Sequence, residues 1–237
     1  MIFESNIILF SLLAALATIL GGILPLLTKK ADSRLFAALA AGILISTAFL
    51  EIIPEGLSLG NTAFGIAMGF VLMYLLEHAL MIHSSAEHGC KIHRIGMVGI
   101  CGITFHSLID GIAIAGGFLV SPVLGIVITV SVIAHEFPEG LATSSLLLAS
   151  KYSKKATVIG FVIVALATPI AAIVTMSYSQ FITSYVLGLA LTFSAGTFIY
   201  IGATDLLPYV HTQRRKKFML AFLAGFLAIV LLSVYLG

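Results

Sequence analysis

The stretch PVLGIVITVSVIAHEFPEGLATSSLLLA, residues 122–149, decides how this chain is read. At 1.5 Å per residue it is long enough to cross a hydrocarbon core of about 30 Å. Its apolar residues run continuously, whereas a barrel strand alternates apolar and polar over about ten residues. The stretch is therefore a transmembrane helix. Its only formal charges, Glu136 and Glu139, lie at mid-span beside His135. The rest of the chain has the same character. Of 237 residues, 60% are hydrophobic and 9% charged, with a mean hydropathy of +1.16. A typical soluble domain carries about 25% charged residues. This composition excludes a cytosolic enzyme, a secreted disulfide scaffold and a nucleic-acid-binding domain. Cys90 and Cys101 allow one disulfide at most.

Eight segments qualify as spans: about 6–27, 35–57, 63–83, 96–118, 122–149, 156–178, 184–209 and 218–236. The opening Met1-Ile-Phe-Glu-Ser-Asn has no basic n-region and reads as a retained helix. All 12 Lys and Arg fall after odd-numbered segments: Lys29, Lys30 and Arg34; Lys91 and Arg94; Lys151, Lys154 and Lys155; Arg214, Arg215, Lys216 and Lys217. The opposite loops, near 58–62, 118–122 and 179–184, carry no charge. The positive-inside rule then places the basic loops in the cytoplasm and both termini outside. The fold expected is an all-α membrane protein of eight transmembrane helices. The whole chain, 1–237, forms one domain, with a histidine-containing cytoplasmic loop at about 84–95.

The acids are distributed differently. Glu51, Glu55, Glu77, Asp110, Glu136, Glu139 and Asp205 lie within or at the ends of spans, where no Lys or Arg is available to pair with them. A carboxylate at the bilayer centre costs at least a few kcal/mol, so it faces the bundle interior and pairs, protonates or binds a cation.

Segment 4 reads His106-Ser107-Leu108-Ile109-Asp110-Gly111-Ile112-Ala113, and segment 5 reads His135-Glu136-Phe137-Pro138-Glu139-Gly140-Leu141-Ala142. Both follow one template: His, three residues, an acid, Gly, a branched aliphatic, Ala. The i, i+4 spacing puts His and acid on one helix face. Antiparallel neighbours bring the two sets together near mid-membrane. Imidazole and carboxylate together suit Zn²⁺ and neighbouring divalent transition ions, whereas an all-oxygen set suits Mg²⁺ or Ca²⁺. His106, Asp110, His135 and Glu139 are the expected ligands, with Ser107 and Glu136 placed to line an adjacent second position. The glycines permit close helix approach. Pro138 frees the Ala134 carbonyl beside the site. A soluble-type metalloprotease motif fits poorly, because the second His of H-E-x-x-H is absent.

Glu51-Ile52-Ile53-Pro54 in segment 2 and Asp205-Leu206-Leu207-Pro208 in segment 7 repeat one signature in helices of opposite direction. This suggests a 3+2+3 arrangement in which segments 1–3 and 6–8 are inverted repeats, as in many secondary transporters. Glu51, with Glu55, would lie toward the outer mouth and Asp205 toward the inner one.

On these motifs, together with Phe49–Glu55 and Phe198–Pro208, the chain resembles the ZIP (ZRT/IRT-like) family of divalent metal transporters over its whole length. The resemblance implies eight helices, outward termini and a two-metal site between segments 4 and 5. It also implies uptake of Zn²⁺, or of Fe²⁺, Mn²⁺, Cd²⁺ or Co²⁺, across the plasma membrane into the cytoplasm, by a carrier rather than an enzyme. A homodimer is implied too, as is an elevator-like shift of segments 1, 4, 5 and 6. Ser107 stands where many members have Asn, and Asp110 where many have Glu.

Other features carry less. His78, His83, His88 and His93 recur across the end of segment 3 and its loop, with Cys90 among them; metal capture after release and a merely solvated loop both fit. His211 and Glu77 are candidates for the inner exit. The run 214–217 sets topology and touches anionic lipid. Two other functions stay open on sequence: a membrane-embedded zinc-dependent hydrolase and a divalent cation channel.

Overall fold

The structure, a computed structural model, describes residues 2–27, 33–82, 90–178, 183–211 and 216–236. Every regular element among them is helical. In order they are α1 (Ile2–Leu27), α2 (Ser33–Thr47), a π turn (Ala48–Ile52), α3 (Ile53–Ser58), α4 (Phe64–Ile82), α5 (Cys90–Val120) and α6 (Pro122–Ala149). There follow α7 (Lys154–Tyr178), α8 (Ser184–Tyr200), a second π turn (Ile201–Leu206), α9 (Leu207–His211) and α10 (Lys216–Leu236). Seven stretches are long and apolar enough to cross a membrane, and α4 adds a shorter apolar one at Phe64–Ala79. Leu9, Leu12, Leu16 and Leu20 of α1 and Leu220, Leu227, Leu231 and Val234 of α10 are each at least half exposed. Bare leucine on that scale is stable against lipid and not against water. The chain is a multi-pass membrane protein.

One boundary departs from expectation. The helix expected from about residue 96 begins at Cys90, so the latter part of the predicted loop, 90–95, is helical. Hydropathy marks where a helix leaves the hydrocarbon, and Lys91, His93 and Arg94 are all compatible with helix continuing into the polar layer. Residues 83–89, including His83 and His88, lie outside the described part.

The two acid–Pro motifs share a distortion. Proline lacks an N–H, and its ring crowds the carbonyl four residues back. Before Pro54 the Ile53 N–H reaches Ala48 O, and before Pro208 the Leu207 N–H reaches Gly202 O. Both are five-residue steps. These π turns accommodate the prolines, and each contains the acid of its motif, Glu51 or Asp205. By contrast α6 runs on through Pro138 without interruption.

Helices α1, α5, α6 and α7 form a central group: α1 packs on α6 and α7, and α5 packs on α6 and α7. Ile7, Ala14, Ile114, Ala115, Phe118, Val132 and Ala172 make its apolar core at one end. The α2–α10 pair covers α6 and the α8–α4 pair covers α5. Close approach depends on glycine. A Cβ on Gly140 would collide with the Thr18 carbonyl of α1, and one on Gly111 with the Thr168 carbonyl of α7. Gly102 differs, since its Cβ would meet only side-chain tips, Ile201 Cδ1 at 3.0 Å and Met73 Cε at 3.3 Å.

Backbone cannot yield as a side-chain tip can. Gly140→Ala and Gly111→Ala are therefore expected to lose about 1–3 kcal/mol each, the usual cost of overpacking. Gly102→Ala should lose clearly less. Denaturation in mixed micelles checks this, and equal stability of all three would refute the contact geometry.

Candidate metal site

His106 and Asp110 project from one face of α5, and His135 and Glu139 from one face of α6, as the i, i+4 spacing requires. All four are at most 5% exposed. His106 Nε2 lies 3.2 Å from Asp110 Oδ2 and 3.4 Å from Glu139 Oε2. His135 Nε2 lies 3.1 Å from the same Asp110 oxygen. One donor atom each from His106, Asp110 and His135 fall within 4.8 Å of one another. Two ligands on a tetrahedral ion with bonds of about 2.0–2.1 Å stand about 3.3–3.4 Å apart. The cluster already has that spacing. His106 Nε2 and Glu139 Oε2 are buried and have no hydrogen-bond partner among the described residues, which fits atoms aimed at a shared cation.

Several of the other polar atoms in and beside the cluster are held by neighbouring hydroxyls. Ser107 donates to Glu139 Oε1 at 2.6 Å. Glu136 accepts from Thr18 of α1 at Oε2 and, at 2.7 Å, from Thr168 of α7 at Oε1. Both of its oxygens thus tie α6 to the neighbouring helices. His106 Nδ1 lies 2.8 Å from Ser194 Oγ of α8. The rings of His106 and His135 stand 5.5 Å apart, and Phe198 packs on His106 at 4.5 Å.

Glu51 comes closer than its placement at an outer mouth implies: its Oε2 is 3.5 Å from His135 Nδ1. Glu55 lies one turn after Glu51, in α3. Asp205 is 7% exposed, its Oδ2 has no partner among the described residues, and it feels the charge of Glu77. Glu77 accepts from the Tyr200 hydroxyl. This second acidic group is separate from the first. His78 is exposed and stacks on Tyr74 at 6.0 Å. The backbone of Cys90 and His93 lies in the first turn of α5 and that of His211 ends α9, but their side chains are outside the described part. Cys101 is a free, exposed thiol.

Sequence reasoning gave no role to Ser194, Thr18, Thr168 or Tyr200. Only the threonines left a trace: each sits 12 residues into its segment, counting from 6 and from 156.

A protein-family profile described as ZIP Zinc transporter matches residues 77–233. The chain belongs to the ZIP zinc transporter family. Among ZIP relatives, the zinc transporter ZupT of Chlorobaculum parvum is 28% identical, over 98% of this chain and 99% of that protein. Zinc transporter ZIP9-A of Xenopus laevis is 23% identical, over 87% of this chain and 85% of that protein. The zinc transporter zipt-7.2 of Caenorhabditis elegans is 26% identical over 55% of this chain, which spans only 30% of that longer protein.

The Glu136 bonds make a test. A buried acceptor that loses its donor costs about 1–3 kcal/mol. Thr18→Val and Thr168→Val should each destabilise the protein by that much. Glu136→Gln, whose amide can serve both hydroxyls, should lose less than Glu136→Leu. Micelle denaturation curves that rank these variants otherwise would show that Glu136 is held elsewhere.

Proposed function

We propose that this chain carries divalent transition-metal ions, Zn²⁺ foremost and with Fe²⁺, Mn²⁺, Cd²⁺ and Co²⁺ as further substrates, across the plasma membrane into the cytoplasm. The convergence of His106 Nε2, Asp110 Oδ2, His135 Nε2 and Glu139 Oε2 at ligand-to-ligand spacing carries this reading. Two imidazoles and two carboxylates give a borderline-soft donor set that an all-oxygen site would lack. Ser107 and Glu136 border the set; with a serine hydroxyl on Glu139 and two threonine hydroxyls on Glu136, they act as braces as much as second-position ligands. ZIP relatives named as zinc transporters support zinc as the main cargo.

In this reading 1–237 is one transporter domain with the 3+2+3 inverted repeat. The features that support it come in pairs. Gly42 and Gly196 each precede the matching Pro54 and Pro208 by 12 residues, and both prolines follow a π turn. The α1–α6 and α5–α7 contacts correspond, as do α2–α10 and α8–α4. Gly140 meets Thr18 just as Gly111 meets Thr168. Such a scaffold allows the α1, α5, α6, α7 group to move against its flanking pairs and open the site to each side in turn. Glu51 and Glu55 pass the ion in from outside. Asp205, Glu77, His78 and His211 receive it at the cytoplasmic end, where His83, His88, Cys90 and His93 can capture it. The termini face outward, the basic loops face the cytoplasm, and the protein works as a homodimer.

Losing an outer partner of a metal ligand commonly lowers affinity about 10–100-fold, and losing the ligand itself should cost no less. Single Ala variants of His106, Asp110, His135 and Glu139 should therefore lower Zn²⁺ uptake into proteoliposomes at least about tenfold. Correctly inserted variants with wild-type uptake would overturn the site. Orientation is checked by thiol labelling in a background lacking Cys90 and Cys101. Ser153→Cys, between α6 and α7, should react only from the cytoplasm, and Asn61→Cys, before α4, only from outside.

A further inference from the structure

His106 is gripped on two edges of its ring. The Nε2 edge faces Asp110 and Glu139. The Nδ1 edge meets Ser194, a residue of α8 on the opposite wall, at 2.8 Å, with both residues at 0% exposure. Phe198, one turn further along α8, lies against the ring face. One face of α8 thus fixes both the position and the rotation of the imidazole. A neutral imidazole carries one N–H, and the nitrogen that lacks it is the one able to bind a metal. A hydroxyl that accepts from Nδ1–H leaves the Nε2 lone pair free and directed at the carboxylates. Among the described residues His106 Nε2 has no hydrogen-bond partner, with Asp110 Oδ2 at 3.2 Å and Glu139 Oε2 at 3.4 Å.

We propose that Ser194 is the positioning residue of the metal site: its hydroxyl accepts the Nδ1–H of His106 and so holds Nε2 unprotonated and aimed at the incoming ion. The proposal rests on the reading of His106 as a ligand. It requires no contact between Ser194 and the ion. The site is then built across two walls, with ligands on α5 and α6 and the tautomer control on α8. His135 has a different arrangement, since its Nδ1 faces the Glu51 carboxylate, which is also an acceptor when ionised.

The test compares Ser194→Ala, Ser194→Thr and His106→Ala in nanodiscs by two measurements: Zn²⁺ affinity by calorimetry, and the nitrogen spectrum of ¹⁵N-histidine-labelled, metal-free protein. The His106 signals are assigned by their absence from His106→Ala. Wild type should show His106 protonated at Nδ1 alone. Ser194→Ala should bind Zn²⁺ about 10–100-fold more weakly, with His106 spread over both tautomers, and Ser194→Thr should restore both properties. Wild-type affinity in Ser194→Ala overturns the proposal. So does weakened affinity with the tautomer unchanged, which assigns Ser194 to packing. Should Ser194→Thr fail to fold, the Ser194→Ala pair of measurements still decides. His106→Ala separates the two levels of inference. Wild-type affinity there defeats the site itself, whereas abolished binding beside an unaffected Ser194→Ala defeats only the role of Ser194.

Discussion

Buried acidic groups with no Lys or Arg beside them among the described residues are the constraint on which this structure turns. Asp110, Glu136 and Glu139 are at most 3% exposed, and every Lys and Arg lies in a flank or loop. Desolvating an ionised carboxylate without a partner costs several kcal/mol, so each of the three must be answered from within the bundle. They are answered differently. Glu136 has a threonine hydroxyl on each oxygen. Glu139 has a serine on one oxygen and faces His106 with the other. Asp110 stands between two imidazoles with a single oxygen. Glu136 thus takes two fixed hydrogen bonds, whereas Glu139 and Asp110 take one each, from Ser107 and His135.

The two bonds to Glu136 go with close packing around it. A threonine one helix away can reach Glu136 only if the backbones come close, and the glycines after the two acids allow that approach. Gly140 rests on the backbone of the same Thr18 whose hydroxyl binds Glu136, and Gly111 on the backbone of Thr168, which binds the other oxygen. One pair of threonines therefore supplies both the surface against which α5 and α6 pack and the donors that neutralise the carboxylate between them. A larger residue at either glycine would separate both at once.

The large features were legible because they repeat at fixed periods. Continuous apolar runs marked eight segments, of which seven are long and apolar enough to cross a membrane and one is shorter, and His-x-x-x-acid on consecutive segments pointed to the cluster, since one helical turn is enough to put both groups on one face. The partners from other helices were not legible. Thr18 donates equally well to Ala14 O, at 3.2 Å, within its own helix. A lone hydroxyl in an apolar span is ordinarily satisfied that way, so nothing in the sequence distinguishes Ser194 from a bystander, and Thr18 shows only the register it shares with Thr168. The π turns were hidden for a related reason. Proline announces a disturbed helix but not which distortion absorbs it, and here Glu51, within the widened turn, stands 3.5 Å from His135.

The same particulars bear on how an ion is held between two walls. In the proposed repeat Glu51 corresponds to Asp205, and Ser194 to Ala40, each 154 positions apart. Ala40 can bind no imidazole, and Asp205 keeps company with Glu77 rather than with either cluster histidine. The scaffold is paired, but the groups that contact the histidines from the flanking walls are not: a carboxylate on the α2 side and a neutral hydroxyl on the α8 side. At the proposed site the charge therefore lies on the α2 side, while the α8 side presents an uncharged hydroxyl. The asymmetry comes from two side chains, so a near-symmetric fold need not give a site that looks the same from both faces of the membrane.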